Sequence, residues 1–377
     1  MILTEEQTMI RDMARDFATN RLAPNTVAWE QVAAVPREVF DEMGKLGLMG
    51  MTIPEEHGGA GTDYISYALA LMEIAGGDGA ISTVMSVNNS PCCAAIMKDG
   101  TDAQKDKYLT PLAKGEMIGA FCLTEPHAGS DASALKTKAV RDGDDFIING
   151  TKQFITSGKI GGVALVFAVT DPAAGKKGIS CFIVPTDAPG YRVASVESKL
   201  GQKASDTCQI AFDDVRVPAE NMLGAEGAGY RIALANLETG RIGIGAQSVG
   251  MAAAALNHAI EYSKERVSFD KPIIQHQAVG FRLADMATKV EVARQMVLHA
   301  ASLKDAGLPC LTEASMAKLF ASEMAEEVCS AAIQTLGGNG FISDYPVEKI
   351  YRDVRVCQIY EGTSDIQKMV IARNLAA

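Results

Sequence analysis

The texture of this chain changes twice along its 377 residues, and that change limits the folds open to it. Up to about residue 117 the apolar residues recur at helical spacing. Leu69, Met72 and Glu73 sit in an Ala/Leu/Met-rich stretch that stops at Gly76-Gly77, while Pro24, Pro36, Pro54, Pro91, Pro111 and the Gly58-Gly59 pair punctuate the segment. From about 118 to 222, short runs rich in Val, Ile, Thr and Phe take over at 136–140, 146–149, 163–170, 179–184 and 208–212. Asp142-Gly143 between the first two predicts a hairpin. From about 223 the helical pattern returns, with breaks such as 304–311. Met316, Leu319, Phe320, Met324 and Val328 predict one apolar helix face ending at Gly337. A crossover α/β fold would alternate strand and helix throughout, and this order does not. The reading is α+β, with domains at 1–117 (helical), 118–222 (mostly antiparallel β) and 223–377 (helical), a division compatible with the chain's length.

Several functions are disfavoured at once. A net charge of −11 argues against a broad nucleic-acid surface, though not against a local basic pocket for an anionic cofactor. No apolar run reaches the ~18 residues of a membrane span, so no membrane insertion is expected. The acidic, amphipathic start MILTEEQTMIRDMARDF matches neither a secretory signal nor a transit peptide, so the expected location is cytoplasmic. Cys92, Cys93, Cys122, Cys181, Cys208, Cys310, Cys329 and Cys357 form no C-x-x-C pair and no cluster with histidine, which predicts buried reduced thiols and no metal site. Despite 35 glycines there is no P-loop, and Gly243, Gly245 and Gly250 have the wrong spacing for a dinucleotide fingerprint.

Four segments could carry chemistry. CLTEPHAGSD (122–131) follows a strand-like run and forms a polar turn able to hold a pyrophosphate or a flavin edge; on spacing alone it reads rather as a capped loop. QFITSG (153–158) puts an aromatic beside a hydroxyl at a strand end, where a ring could stack; alone it is an ordinary strand end. RVSF (266–269) with His276-Gln277 lies between two helices and offers a guanidinium fork and an aromatic face, or simply a surface Arg and a core Phe. The last runs QTLGGNGF (334–341), then Asp344, Lys349 and Arg352-Asp353, to YEGTSD (360–365). There Glu361 could be a general base, or a solvated or capping acid.

Taken in order over some 230 residues, these segments resemble the acyl-CoA dehydrogenase family, and the resemblance runs from end to end. CLTEPHAGSDASA looks like one family signature and 334–353 like a second. MSVNNS (85–90) and ETGRIGIGAQSVG (238–250) look closest to the short-chain, butyryl-CoA branch. The resemblance implies an N-terminal helical domain, a middle antiparallel β-barrel-like domain and a C-terminal four-helix bundle. It also implies a homotetramer arranged as a dimer of dimers, FAD as cofactor, and electron-transferring flavoprotein as acceptor. By similarity, Phe121, Leu123, Thr124, Gly129 and Ser130 would contact the flavin and pyrophosphate, and Phe154, Ile155 and Thr156 would flank the ring system. Arg266, Phe269 and Gln277 would hold the adenine and phosphate side. Gln334, Gly337 and Gly338 would reach the neighbouring subunit's FAD, and Thr363, Ser364 and Asp365 would close over the cofactor. Ser130, Glu238, Thr239, Gly240, Arg241 and the Gly362 backbone would meet the acyl-CoA, and Glu361 would remove the α-proton.

Some positions depart from the commonest family pattern. Phe154 stands where many members have Trp, which bears on the acceptor, and Asp365 where Glu or Gln is frequent. Members with the base on the Arg241 helix place a Glu just before that Arg; here that position is Gly240, which favours Glu361. Family members that act on glutaryl-CoA carry an Arg in the segment equivalent to 79–90; none occurs here, so the resemblance disfavours a second substrate carboxylate. The expected reaction is dehydrogenation of a short-chain acyl-CoA to the trans-2-enoyl-CoA. The alternatives are a branched-chain (isobutyryl- or 2-methylbutyryl-CoA) dehydrogenase, an oxygen-using oxidase, and a non-enzymatic CoA-ester-binding homologue, the last disfavoured by the presence of Glu361.

Overall fold

The computed structural model describes residues 1–376, and the order helices, sheet, helices is the one expected. The strands are β1 (Gly119–Cys122), β2 (Lys138–Asp142), β3 (Asp145–Thr156), β4 (Val163–Val169), β5 (Ile179–Pro185), β6 (Tyr191–Val196), β7 (Thr207–Pro218) and β8 (Met222–Leu223). They join in the order β6-β7-β3-β2-β4-β5-β8, with β1 on β4. Pairing is antiparallel except that β1 and β2 run parallel to β4. β4 and β5 have no polar alternation because both their faces are covered. Ala164, Val166, Phe182 and Val184 join a cluster whose buried members are all strand residues, so the sheet curls over its own face. Val163, Leu165, Phe167 and Ile183 pack instead under the N-terminal helical segments around Ile96 and Leu112.

The Asp142-Gly143 hairpin forms as read, with Asp142 opposite Asp145 and Gly143 at φ +64°. The expected 136–140 strand begins instead at Lys138, because the Lys136 and Thr137 amides donate to the Glu125 carboxylate at 2.6 and 2.9 Å. The run at 146–149 is only the first part of the longer β3. β6 was not anticipated. It is an edge strand paired only to β7, mostly exposed, and so lacks an apolar pattern.

The largest core cluster unites the N-terminal and C-terminal helices. Tyr64–Gly77 and Gly79–Val87 pack on the long helix Gly229–Glu265, which is joined by Gln277–Asp305, Leu311–Leu336 and Ser364–Leu375. The glycines at 243–250 are helix notches. A Cβ on Gly250 would overlap the Met72 carbonyl oxygen and lie 2.8 Å from its carbon. The expected apolar face of Leu311–Leu336 is only half right. Met324 and Val328 are buried, but Met316 and Leu319 are only partly so, and Phe320 is 37% exposed. The buried stripe is Ala314, Ala317, Ala321, Ala325 and Ala332, because small residues let this helix approach the long one closely at Gly245.

One buried polar knot ties all three regions together. Lys349 Nζ lies 2.6 Å from Asp353 Oδ2 and 3.4 Å from Asp78 Oδ2. Thr26 donates to Asp78, and the Gln202 amide donates to Asp353. Burial alone would lower the Lys349 ammonium's pKa, but Asp78 and Asp353 together reverse this and hold it above its usual value. Arg352, beside the knot, pairs with Glu30 and with Glu348, the latter at 2.8 Å. The Lys349, Arg352 and Asp353 part of the fourth segment is therefore structural. All eight cysteines are free and buried. Among the described residues no helix is long and apolar enough to cross a membrane, and no group of three His, Cys, Asp or Glu could hold a metal ion.

Candidate active site

Glu361 sits on a turn between two short helical elements, 355–358 and Ser364–Leu375, with φ +51°, followed by Gly362 at φ +88°. A left-handed Glu followed by a left-handed Gly is an uncommon pair, sustained by its surroundings. Two helices hold it. Gln367 Nε2 donates to Gly362 O at 2.8 Å and Glu361 O at 3.2 Å, and Lys318 Nζ from Leu311–Leu336 donates to Gly362 O at 2.6 Å. Thr363 caps the following helix through its hydroxyl, which accepts from the Ile366 amide at 3.3 Å, and Asp365 lies exposed in the first turn.

The residue as a whole is only partly buried, but Glu361 Oε2 is out of solvent and has no hydrogen-bond partner. Burial raises the carboxyl's pKa to about 7, against the opposing pull of Lys318 and Arg241. The carboxylate occupies the notch at Gly240, where a Cβ would overlap Oε2 and lie 2.8 Å from Cδ. Gly240 thus matters because it is empty; a side chain there and the Glu361 carboxyl compete for one volume. Gly240→Ala is expected to fold, because the atoms met belong to a flexible side-chain end, and to lose turnover by about 10²-fold through displacement of the Glu361 carboxyl. A melting temperature near wild type with that loss is the expected result, and wild-type turnover would overturn it.

Arg241 follows on the same helix, buried, with its Nε unpaired; burial lowers its pKa while Glu361 and Glu238 raise it. Glu238 accepts from Cys310 Sγ at 3.6 Å. The structure therefore brings 239–241 of the long helix and 361–362 together, as the sequence reading expected. Lys318 was missed. It is fully buried, and burial lowers its pKa to about 8. The only sequence signal was a Lys at position 318 in an otherwise small, alternating Ala stripe, where a buried face would exclude charge.

The first two segments also meet. The Gln153 amide donates to Thr124 O at 2.9 Å, and the buried Lys152 reaches Leu123 O at 3.1 Å and Glu125 Oε1 at 2.8 Å. Phe121 packs on Phe167 at a ring distance of 4.8 Å, while Gly129 and Ser130 are exposed. A register shift in β3 between Lys152 and Ile155 puts Phe154 at φ +58° and leaves it 63% exposed beside Thr156, with Ile155 buried. Arg266, Phe269 and Gln277 lie at the other end of the long helix. Val267–Ser268 and Lys271–Pro272 pair around Phe269 and Asp270, both at positive φ, and the Phe269 ring is 88% exposed. Gln334, Gly337 and Gly338 lie exposed at the same end, where Asn339 donates to Tyr262 Oη at 2.9 Å. Neither Gln334 nor these glycines hydrogen-bonds to the Glu361 turn among the described residues.

The comparisons with known proteins decide what this scaffold is. Three family models match in chain order: acyl-CoA dehydrogenase N-terminal domain over residues 4–116, middle domain over 120–215 and C-terminal domain over 227–376. The chain belongs to the acyl-CoA dehydrogenase family. It is 45% identical to the short-chain specific acyl-CoA dehydrogenase of Clostridium acetobutylicum over 98% of both chains. The butyryl-CoA dehydrogenase structure from Megasphaera elsdenii superposes with a TM-score of 0.98 at 42% identity, covering 100% of each chain. A chain in the structure described as the electron transferring flavoprotein of Acidaminococcus fermentans superposes with a TM-score of 0.98 at 47% identity, covering 100% of this chain and 99% of the other. This acyl-CoA dehydrogenase is an FAD-dependent enzyme. The exposed end of the polar loop at Gly129-Ser130, the outward Phe154 ring and the open surfaces at Gly337 and Gly338 fit a flavin nucleotide, since ring, ribityl and phosphate groups need just such uncovered backbone donors.

Proposed function

We propose that this enzyme converts a short-chain, unbranched acyl-CoA to the trans-2-enoyl-CoA, with Glu361 as the base. The observation that carries this reading is the Glu361 carboxyl: an unpaired, buried Oε2 with a pKa of about 7, seated against Gly240 on a turn held from two helices. A base whose pKa lies near working pH is ionised often enough to act and basic enough to accept an α-proton. The enolate charge that develops on the thioester oxygen needs donors, and the backbone N–H of the Glu361–Gly362 turn, held rigid by Lys318 and Gln367, would supply one. When bound, FAD would supply the acceptor for the β-hydride. Phe121, Leu123, Thr124, Gly129, Ser130, Phe154, Ile155 and Thr156 would hold the flavin side, and Thr363, Ser364 and Asp365 would border it. Glu238, Thr239, Arg241 and Gly362 would orient the thioester.

Two observations support the short chain. The space beside Gly243 is already filled, with Ser86 Oγ 2.8 Å and Tyr67 Oη 2.9 Å from where its Cβ would stand. The likeness to a butyryl-CoA dehydrogenase covers the whole chain. Electron-transferring flavoprotein is the proposed acceptor, supported by the likeness to the Acidaminococcus fermentans chain. A homotetramer is proposed because Arg266, Phe269, Gln277, Gln334, Gly337 and Gly338 are exposed at one end of the bundle, and Phe281 and Phe341 are exposed apolar residues. The test is anaerobic flavin bleaching against an acyl-CoA series. Butyryl-CoA should bleach fastest, with each methylene beyond the pocket's end worth about 10–200-fold. Faster bleaching by isobutyryl-CoA, or by long chains, would move the substrate. Bleaching by none would sink the reading.

A further inference from the structure

We propose that Lys318 is the positioning residue for the catalytic base: it clamps the Glu361–Gly362 turn from behind through the Gly362 carbonyl and stands as a buried counter-charge to the Glu361 carboxylate. The inference rests on Glu361 being the base. Three observations carry it. Lys318 is 0% exposed, yet its ammonium donates at 2.6 Å to a backbone carbonyl in the very turn that presents Glu361. No carboxylate among the described residues lies within ion-pairing distance of its Nζ, unlike the buried Lys152 and Lys349, which both pair with acids. A buried cation without a paired acid is retained only at a cost, so its site is specialised. Finally, the turn has left-handed backbone at both residues and depends on external donors, of which Lys318 and Gln367 are the two that reach it from helices.

The groups facing Glu361 are few. Lys318 comes from Leu311–Leu336, Arg241 from the long helix, Tyr67 from Tyr64–Gly77, and Cys92 from the 88–93 segment. Burial raises the Tyr67 and Cys92 pKa values, so both stay neutral near pH 7. Around Lys318 itself stand Cys357, Glu361, Arg241 and Glu323. Cys357 is likewise raised by burial and neutral. Only the two cations therefore favour ionisation of the base.

The holoenzyme is tested as Lys318→Met, which removes donor and charge at similar length, and Lys318→Gln, which removes the charge and keeps an N–H. Acetyl-CoA in D₂O gives a readout independent of flavin reduction: it has an α-proton but no β-carbon, so a positioned base exchanges deuterium without dehydrogenation. For Lys318→Met the expected result is exchange and turnover slowed about ten- to a hundredfold with KM little changed. Its acid limb should move up by about 1–3 pH units, because a carboxylate losing a nearby cation holds its proton more tightly. Lys318→Gln should recover part of the rate while keeping the shifted limb. A wild-type limb and exchange rate in Lys318→Met would overturn the proposal. If that variant fails to hold FAD, an unshifted limb in Lys318→Gln overturns it equally. Exchange that survives in Glu361→Gln would instead remove Glu361 as the base, a different failure with a different signature.

Discussion

Replacing Glu361 by Gln is expected to leave a yellow, folded enzyme that binds acyl-CoA and scarcely oxidises it. The amide keeps the shape of the carboxyl in the Gly240 notch but cannot accept a proton at working pH. Loss of a general base typically removes 10²–10⁴ in rate, so turnover should fall by about that factor while flavin content stays at wild-type level. In wild type the same carboxyl should set the acid limb, with turnover rising as pH passes about 7. Stability should move the other way. The folded pKa is raised from 4.5 to about 7, so the folded state binds this proton more tightly than the unfolded one. Its contribution to stability is therefore fully present below the unfolded value and lost as pH rises through the folded one. Ionised Glu361 then opposes folding at pH 8 by on the order of 1–3 kcal/mol. The Gln variant should match wild type in a thermal melt at pH 4, below the unfolded value, and melt higher at pH 8. Wild-type turnover in the variant, or a lower melt at pH 8, would contradict the assignment.

Lys349→Met should produce the largest loss of stability, although it lies outside the active site. Lys349 is the only cation in ion-pair contact with Asp78 and Asp353 among the described residues, and removing it leaves two carboxylates facing one another in the interior. Breaking such a pair from one side costs about 3–5 kcal/mol. For a chain of 377 residues that is a fall of roughly 4–6 °C in the melting temperature. The double variant Lys349→Met/Asp353→Asn should regain part of the loss, because one stranded charge is gone. An unchanged melt in the single variant would mean that the knot is not what joins the three regions. Activity at low temperature should survive, which separates this variant from those at Glu361 and Gly240.

Much of this enzyme was readable in the linear order of its residues. The switch from helical to strand-like texture and back marked the architecture, because local periodicity is a property of neighbouring residues. The YEGTSD turn was legible for a similar reason: an acid followed at once by Gly, Thr and Ser brings a flexible hinge and a helix cap together. The ordered segments at 122–131, 153–158, 266–277 and 334–365 were enough to suggest the family. Pairing between distant segments was less legible. The 136–140 strand slipped to begin at Lys138 because Glu125, remote in sequence, captures two of its amides. The Leu311–Leu336 helix was read by its large apolar residues, but its partner helix packs on the alanines, since close approach at Gly245 outweighs side-chain size.

The sequence by itself therefore determined the helix, sheet, helix order, the family, and the place of Glu361 on its turn and of the bare Gly240 on the helix. Only the tertiary structure decided that the Glu361 carboxyl fills the Gly240 notch, that the remote Lys318 joins Gln367 in holding the turn, and that Lys349 and Asp353 serve the fold. The physical reason is range. Periodicity, caps and turns arise from interactions over a few residues, whereas desolvation and pairing of buried charge depend on what the rest of the chain places around them.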